Sequence, residues 1–423
     1  MLNRLNQNKT YMKFAKTSYF YILASFLIIS CSGNSKNTAS EEVQTQNGQL
    51  PNPETEEKNS PEYQSAFPGQ TRIMGVKTDT PYQVDIINKD LGKPWGIINL
   101  PDGRFLITEK SGFMNIISAD GKTITKVEGF PNVDDKGQGG LLDVALDPDF
   151  ATNRMIFWTF SEPVKDGNHT SVAKGKLSAD EKKIENPKVI FQATPTYDGD
   201  KHYGSRLLFD KEGNLFVSTG ERSDMETRPL AQNTMAYLGK VLKITKDGKA
   251  AAGNPFIGKE KFQPEIYSYG HRNPQGLAMD EKGQLWEAEM GPKGGDEINL
   301  IQPGKNYGWG DVSYGREYSG KKINNGATQK EGTEQPVYYW DPVISMSGVD
   351  FYKGNIEEWK NNLMIGCLSG EKIIRLVIKD NKVVGEEWLL ADKKERFRDV
   401  LSSQDGNLYG ITDSGKLYRV SKK

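Results

Sequence analysis

One phrase recurs along the chain: a tight polar turn, often Asp-Gly, that opens into a strand of alternating apolar and polar positions. It stands first as Pro101-Asp-Gly-Arg-Phe-Leu-Ile-Thr108, then as Asp147-Pro-Asp-Phe150 leading into Met155-Ile-Phe-Trp158. Asp210-Lys-Glu-Gly-Asn-Leu-Phe-Val217 and Asp280-Glu-Lys-Gly-Gln-Leu-Trp286 repeat it, as do Asp350-Phe-Tyr-Lys-Gly354 before Leu363 and Gln404-Asp-Gly-Asn-Leu-Tyr409. Counted from Gly103, Asp149, Gly213, Gly283, Gly354 and Gly406, the copies lie 46 to 71 residues apart. A turn followed by period-two alternation predicts antiparallel strands. Self-similarity at tens of residues, without helical heptads, predicts radial repetition. Six copies therefore predict an all-β, six-bladed β-propeller, with insertions where the spacing is long. An early alternating strand around Gln83–Asn88 is placed to close the ring against the last blade. A double jelly roll would not explain the shared phrase. In a propeller, ligands gather at the central channel on loops from several blades.

The N-terminus breaks the pattern. Arg4, Lys9, Lys13 and Lys16 precede an apolar stretch from Tyr19 to Ile29, followed by Ser30-Cys31. A basic region, a short apolar core and a small residue before the cut read as an export signal. A cysteine directly after Ile28-Ile29-Ser30 is similar to a bacterial lipobox, in which the thiol is lipidated. The expected organisation is a signal peptide over residues 1–30, a lipidated Cys31 with a flexible tether over 31–70, and the propeller over 71–423. The tether is expected because residues 32–70 are rich in Ser, Asn, Thr, Glu and Pro with few aliphatic side chains to bury. The protein is thus expected to be exported and lipid-anchored in the bacterial cell envelope, facing the periplasm or the cell surface. The lipid would be its one membrane contact, since no later apolar run approaches the ~20 residues of a membrane span. With Cys31 lipidated, Cys367 is the remaining cysteine, so no internal disulfide is expected and Cys367 reads as a buried small hydrophobe. Lys and Arg number 55 against 56 Asp and Glu, with no basic cluster, which argues against a nucleic-acid partner.

The chain lacks CxxC, HExxH and GxSxG motifs. Gly253-Asn-Pro-Phe-Ile-Gly-Lys259 imitates a phosphate-binding loop, but Glu260 replaces the metal-binding hydroxyl and Pro255 lacks an N–H. A proton acceptor near neutral pH must come from three histidines, His169, His202 and His271. His202 precedes a repeat strand, where a propeller loop meets the channel, and His271 lies in a rigid Gly/Pro-bounded loop. His169 is expected to be solvated in a hydrophilic hairpin. Arg396 and Arg398 flank Phe397, and residues two apart in a strand face the same way. Together with Arg272-Asn273 they suit an anionic ligand. Glu289-Met-Gly-Pro-Lys-Gly-Gly-Asp-Glu297, followed by Asn306-Tyr-Gly-Trp309, offers carboxylates amid open carbonyls, a donor set that suits calcium.

Taken together, these segments resemble the soluble PQQ-dependent sugar dehydrogenases, in particular their aldose sugar dehydrogenase branch. The matching stretches include Lys93-Pro-Trp-Gly96, Gly137-Gln-Gly-Gly-Leu-Leu-Asp143, His202-Tyr-Gly-Ser-Arg-Leu207, Tyr269-Gly-His-Arg-Asn-Pro-Gln-Gly276, Gly291-Pro-Lys-Gly-Gly-Asp-Glu297 and Arg396-Phe-Arg-Asp-Val400. They run in family order over about residues 80–420, and the six-bladed propeller is the family's fold. The resemblance implies oxidation of aldose sugars at C1 to lactones, with an aldose and an electron acceptor as partners and PQQ and Ca²⁺ as cofactors. It implies that His202 is the general base, while hydride passes from C1 to the C5 carbonyl of PQQ. It places Gln138, Arg272, Asn273, Tyr318, Arg396 and Arg398 on the cofactor, together with the Cys367-Leu368-Ser369 segment. The carbonyls of Gly291 and Pro292 resemble ligands of the calcium against PQQ. Glu297 with the carbonyl of Tyr307 resembles a second, structural calcium site. One departure stands out: related enzymes often carry a PQQ-contacting lysine where this chain has Ser369, and Lys372 is the nearest replacement in sequence. Two other readings stay open: a calcium-dependent propeller hydrolase or lactonase, and a non-catalytic surface lipoprotein that binds sugar or protein.

Overall fold

The computed structural model describes residues 50–423; the signal peptide and Cys31 lie outside the described residues. Twenty-four strands form six four-stranded antiparallel sheets. Their innermost strands are Pro94–Asn99, Leu141–Leu146, Gly204–Phe209, Pro274–Met279, Met346–Phe351 and Phe397–Ser402, which open blades 1 to 6 in that order. Each innermost strand touches the next, and the sixth touches the first, so the sheets close into a ring. The ring is sealed within blade 6, where Tyr82–Asn88 pairs antiparallel with Leu417–Lys422 from the other end of the chain. The propeller and its early closing strand are therefore as the sequence pattern predicts.

Every copy of the recurring phrase falls at the same place, the turn between the first and second strands of a blade. The turn needs a left-handed residue, and Gly213 and Gly283 supply it at φ +79° each. In these two copies the first aspartate fixes its turn through the carboxylate: Asp210 accepts from the Asn214 N–H at 2.7 Å, and Asp280 from the Gln284 N–H at 2.8 Å. The alternation behind the turn has a packing consequence. Because both faces of a blade meet neighbours, the apolar clusters form between sheets. Leu106, Met114 and Ile116 of blade 1 pack on Leu141, Trp158 and Ala173 of blade 2. Phe105 and Ile107 of the same blade pack the other way, on Tyr409, Ile411 and Leu417 of blade 6. Each such side chain contributes about 1.5–3 kcal/mol on burial, so a ring of wedges is stable without a crosslink. Cys367, free and fully buried, belongs to one of these clusters.

The axis of the ring carries charge. Arg206 donates from Nη1 to Asp143 Oδ1 (3.1 Å) and Asp399 Oδ2 (2.8 Å), and from Nε to the Gln275 carbonyl (2.6 Å). The Asp143 and Asp399 carboxylates also take the Leu207 and Ile97 N–H groups (2.7 and 3.1 Å), so this ion triad ties five innermost strands together. Gly348 makes room for it: a Cβ there would sit 1.6 Å from Asp399 Oδ1. Burial raises Asp143 to about 6, against the pull of Arg206.

Residues 50–70, expected to be tether, are instead packed against blades 4 and 5. Composition missed this because polar hydrogen bonds, rather than apolar burial, hold much of the segment. Asp341 accepts from the N–H groups of Asn59 and Ser60 (2.8 Å each). Fully buried Gln70 donates to the Pro336 carbonyl (2.9 Å), and Tyr63 packs with Tyr314 and Tyr339. This strap also braces the long excursion between Ile301 and Tyr338, because Arg316 Nε donates to Ser60 Oγ (3.0 Å).

Candidate active site

Where the chain enters the innermost strands, a cavity of about 540 Å³ opens on the ring axis, and all six blades contribute to its wall. Blade 1 gives Lys93, Trp95 and Lys110; blade 2 gives Gln138; the entry to blade 3 gives His202. Arg272, Gly291, Pro292 and Tyr318 come from blade 4, Ser345, Leu368 and Ser369 from blade 5, and Arg396, Arg398 and Asp413 from blade 6.

His202 is the most constrained of these. Its backbone is left-handed at φ +48°, a conformation costing about 1–3 kcal/mol that persists only where the surroundings impose it. Gln138 imposes it by accepting the His202 N–H at Oε1 (2.8 Å), and Asn273 by accepting the Gly204 N–H (3.1 Å). Nδ1–H of the imidazole donates to Glu221 Oε1 at 2.6 Å, and both side chains are buried. With Nδ1 committed, the basic lone pair is Nε2, on the opposite edge of the ring. Burial and nearby Arg272 lower the His202 pKa to about 4, against the opposing pull of Glu221. The ring is therefore neutral at ordinary pH and available to take a proton.

Arg272 crosses the floor between this ring and blade 4. Its Nη1 donates to the Met290 and Gly291 carbonyls (2.8 and 2.9 Å), and Nη2 reaches Tyr318 Oη at 3.4 Å. Tyr318 itself is 73 % exposed and forms the lip. Arg396 and Arg398 converge as their spacing predicts, though on a residue of this chain: Asp413 accepts from both Nε groups at 2.9 Å. Burial lowers the Arg398 pKa despite that partner. Ser369 donates to Ser345 Oγ at 2.7 Å.

Several expected members lie elsewhere. Cys367 points into the core with its thiol near the Ile365 carbonyl (3.7 Å), because it ends a core strand and the wall begins at Leu368, in the turn that follows. Asn273 is fully buried behind the wall and acts through the His202 loop. Lys372 covers the Trp388 ring with Nζ 3.2 Å from its centroid and is not in the wall. His169 is buried, with Nδ1 3.3 Å from the Ala193 carbonyl and Nε2 3.0 Å from Thr196 Oγ1. Its hairpin is hydrophilic in sequence, yet the long second and third strands of blade 2 enclose the ring. His271 is structural in the same sense, held by Glu289 (2.9 Å) and Ser268 (2.8 Å) and stacked on Tyr307.

Beside the cavity, Glu289 and Glu297 are cross-strand partners around a void of about 10 Å³, also lined by Tyr307 and Trp309. Burial and the neighbouring Glu289 drive the Glu297 pKa well up. Glu287, two residues along the same strand, is raised for the same reasons, and its Oε1 has no partner. Two carboxylates, Glu289 and Glu297, line this ion-sized void and form a donor set for a hard cation.

Four members of the site escaped sequence reasoning: Glu221, Lys93, Lys110 and Asp413. Glu221 follows the second strand of its blade directly after Gly220, at the same end of the sheet as His202, and that placement was the available signal.

Comparison with known proteins agrees with this geometry. The glucose/sorbosone dehydrogenase sequence model matches residues 91–419. The chain is 40 % identical over 347 residues to the aldose sugar dehydrogenase YliI of Escherichia coli, covering 80 % of this chain and 93 % of that one. It is 28 % identical over 410 residues to the quinoprotein glucose dehydrogenase B of Acinetobacter calcoaceticus, covering 78 % and 85 %. Among solved structures, the apo-form of the E. coli soluble aldose sugar dehydrogenase superposes with a TM-score of 0.77 at 40 % identity, covering 81 % of this chain and 100 % of that one. The PQQ-bound aldose sugar dehydrogenase of Streptomyces coelicolor gives 0.68 at 27 % identity, covering 82 % and 100 %. With the six-bladed ring and its basic axial cavity, these matches show that the chain belongs to the glucose/sorbosone dehydrogenase family.

Proposed function

We propose that the protein is a PQQ- and calcium-dependent aldose dehydrogenase that oxidises the C1 hydroxyl of a sugar to the lactone, with His202 as general base. The observation that carries this reading is a neutral, buried histidine, backed by a carboxylate, in the wall of a strongly basic cavity. Five basic side chains line that cavity: Lys93, Lys110, Arg272, Arg396 and Arg398. The one carboxylate in the wall, Asp413, is already paired to two of them. A chain of net charge −1 that concentrates cations in this way is suited to a polyanionic ligand, and PQQ carries three carboxylates. The calcium assignment fits as well. The Gly291 carbonyl faces a cationic group in the cavity, the Arg272 guanidinium, and Pro292 lines the same wall. Glu297 and the Tyr307 segment border the second, ion-sized void.

Held by these cations, PQQ would supply the hydride acceptor, and calcium held by the Gly291 and Pro292 carbonyls would supply Lewis acidity. The chain supplies the rest. Nε2 of His202 takes the proton of the anomeric hydroxyl as C1 gives up its hydride, and Glu221 stabilises the imidazolium that forms. Gln138 and Asn273 hold the histidine in place, so little reorganisation remains at the moment of reaction. A calcium-dependent hydrolase would need carboxylate or amide side chains around a metal on the axis, whereas this wall is dominated by cations. Export and lipid anchoring through Cys31 are part of the same proposal, supported by the lipobox-like sequence. The test is reconstitution of the protein without its first thirty-one residues with PQQ and Ca²⁺, followed by aldose addition and a dye acceptor. Sugar-dependent dye reduction requiring both additions is the expected result. No reduction and no PQQ binding would overturn the proposal.

A further inference from the structure

The departure at Ser369 removes a positive charge from blade 5, and the structure shows where another stands. Lys110 follows the second strand of blade 1 and lines the cavity on the far side of blade 6 from Ser369, so the two positions flank the Arg396/Arg398 pair. Its backbone is fixed at both ends: its N–H donates to the Lys93 carbonyl, and its own carbonyl accepts from the Leu141 N–H, each at 3.0 Å. The side chain is fixed as well, with Nζ donating to the Gly137 carbonyl at 2.7 Å. An ammonium has three N–H groups. One is spent on that carbonyl, and among the described residues no carboxylate forms a salt bridge with it. Burial comes first and Arg398 second among the causes that lower its pKa. Asp413 and Asp135 favour the charged form without either coming within salt-bridge distance, so a half-buried cation beside another cation stands to gain from an anion brought in from outside. Lys93, by contrast, is exposed at the rim. Ser369 can offer no charge and is already bonded to Ser345.

Resting on the cofactor reading above, we propose that Lys110 binds a carboxylate of PQQ and so supplies the cationic contact that related chains place at the position of Ser369. The contact reaches the ligand from blade 1, across the arginine pair from its usual side. Lys110 thereby also couples cofactor binding to the base, because the carbonyl it holds belongs to the residue before Gln138, whose Oε1 fixes His202.

The experiment is calorimetric titration of the calcium-loaded apo-protein with PQQ at several salt concentrations, for the wild type and the Lys110→Gln, Lys110→Arg and Lys110→Gln/Ser369→Lys variants. A lost charge-assisted contact should raise the Kd of Lys110→Gln about 10- to 100-fold at low salt. The loss should shrink as salt rises, since screening weakens the contact in the wild type. Lys110→Arg should stay within a few-fold of wild type, and lysine at 369 should recover much of the loss from the other flank. A Lys110→Gln variant with wild-type affinity overturns the proposal. So does a variant weakened equally at every salt concentration and not rescued by Ser369→Lys, which would mark a purely structural role. Wild-type protein that fails to bind PQQ would instead overturn the cofactor reading itself, and this inference with it.

Discussion

Replacing Glu221 by Gln separates a catalytic pair from an incidental one. The substitution keeps size and an acceptor oxygen but removes the charge 2.6 Å from His202 Nδ1. Hydrogen bonds to charged groups contribute about 1.5–3 kcal/mol, and this one is needed most when the imidazole becomes imidazolium. The plateau of kcat/KM should therefore fall about 10- to 150-fold. The pH profile should shift in a direction that distinguishes the mechanism. Glu221 is one of the groups holding the His202 pKa up against burial and Arg272, so its loss moves that pKa further below about 4. Kinetics of the reconstituted enzyme from about pH 3 to 8 should show a lower plateau that persists to lower pH than in the wild type. An unchanged plateau, or an acid limb displaced upward, would refute the role assigned to the pair. The same shift has a stability consequence with a definite sign. A histidine at about 6.5 in the unfolded chain and about 4 in the fold takes its proton first when unfolded. It thus contributes stability that is full above pH 6.5 and is lost as pH falls toward 4, about 3 kcal/mol over the window. His202→Asn should flatten that part of a denaturant-measured stability profile while abolishing turnover.

Further outcomes follow from other parts of the molecule. Arg206→Met strands two buried aspartates on the axis and should destabilise by about 3–5 kcal/mol; adding Asp143→Asn and Asp399→Asn should recover much of it, as read by chemical denaturation. Calcium should raise the thermal midpoint of the wild-type apo-protein, and Glu297→Gln should reduce that rise, because it removes one of the carboxylates at the ion-sized void. A chain shortened to begin at Thr71 should melt below one beginning at Leu50, since it loses the bonds of Asn59 and Ser60 to Asp341 and the Tyr63 packing.

The ring was legible because one device recurs. A polar turn opened by an aspartate, with a left-handed glycine in four of its copies (Gly103, Gly213, Gly283 and Gly406), leads each time into an alternating strand, and six copies count six blades. The closing strand was legible for a related reason: Tyr82–Asn88 alternates, yet no turn phrase precedes it to give it a blade of its own. The strap was misread because its fixation depends on particular partners. Ser, Asn and Gln are poor at burying area, but Asp341 and the Pro336 carbonyl stand where Ser60 and Gln70 can reach them. Among residues embedded in distinctive segments, His202, Arg272, Gly291, Arg396 and Arg398 line the axial cavity. Glu221, Lys110 and Asp413 sit in ordinary loop-like surroundings, and their importance comes from blades meeting in space. Cys367 failed in the opposite way, since it ends a core strand and the cavity wall begins at Leu368, in the turn that follows.

Closing the ring with Tyr82–Asn88 on Leu417–Lys422 sets the order of events in the life of the chain. The first of these strands to be synthesised is among the last to be paired, waiting while more than three hundred residues follow it. Until then blade 6 lacks its outer strand and the growing ring has two open edges, the kind of surface that invites pairing between molecules. The active cavity, drawn from all six blades, comes into existence at the same final step. Synthesis stopped one strand early would leave an open arc, with the blade 1 lysines parted from the blade 6 arginines that line the same cavity. For this architecture, completeness and activity arrive together, and quality control need only test whether the circle has closed.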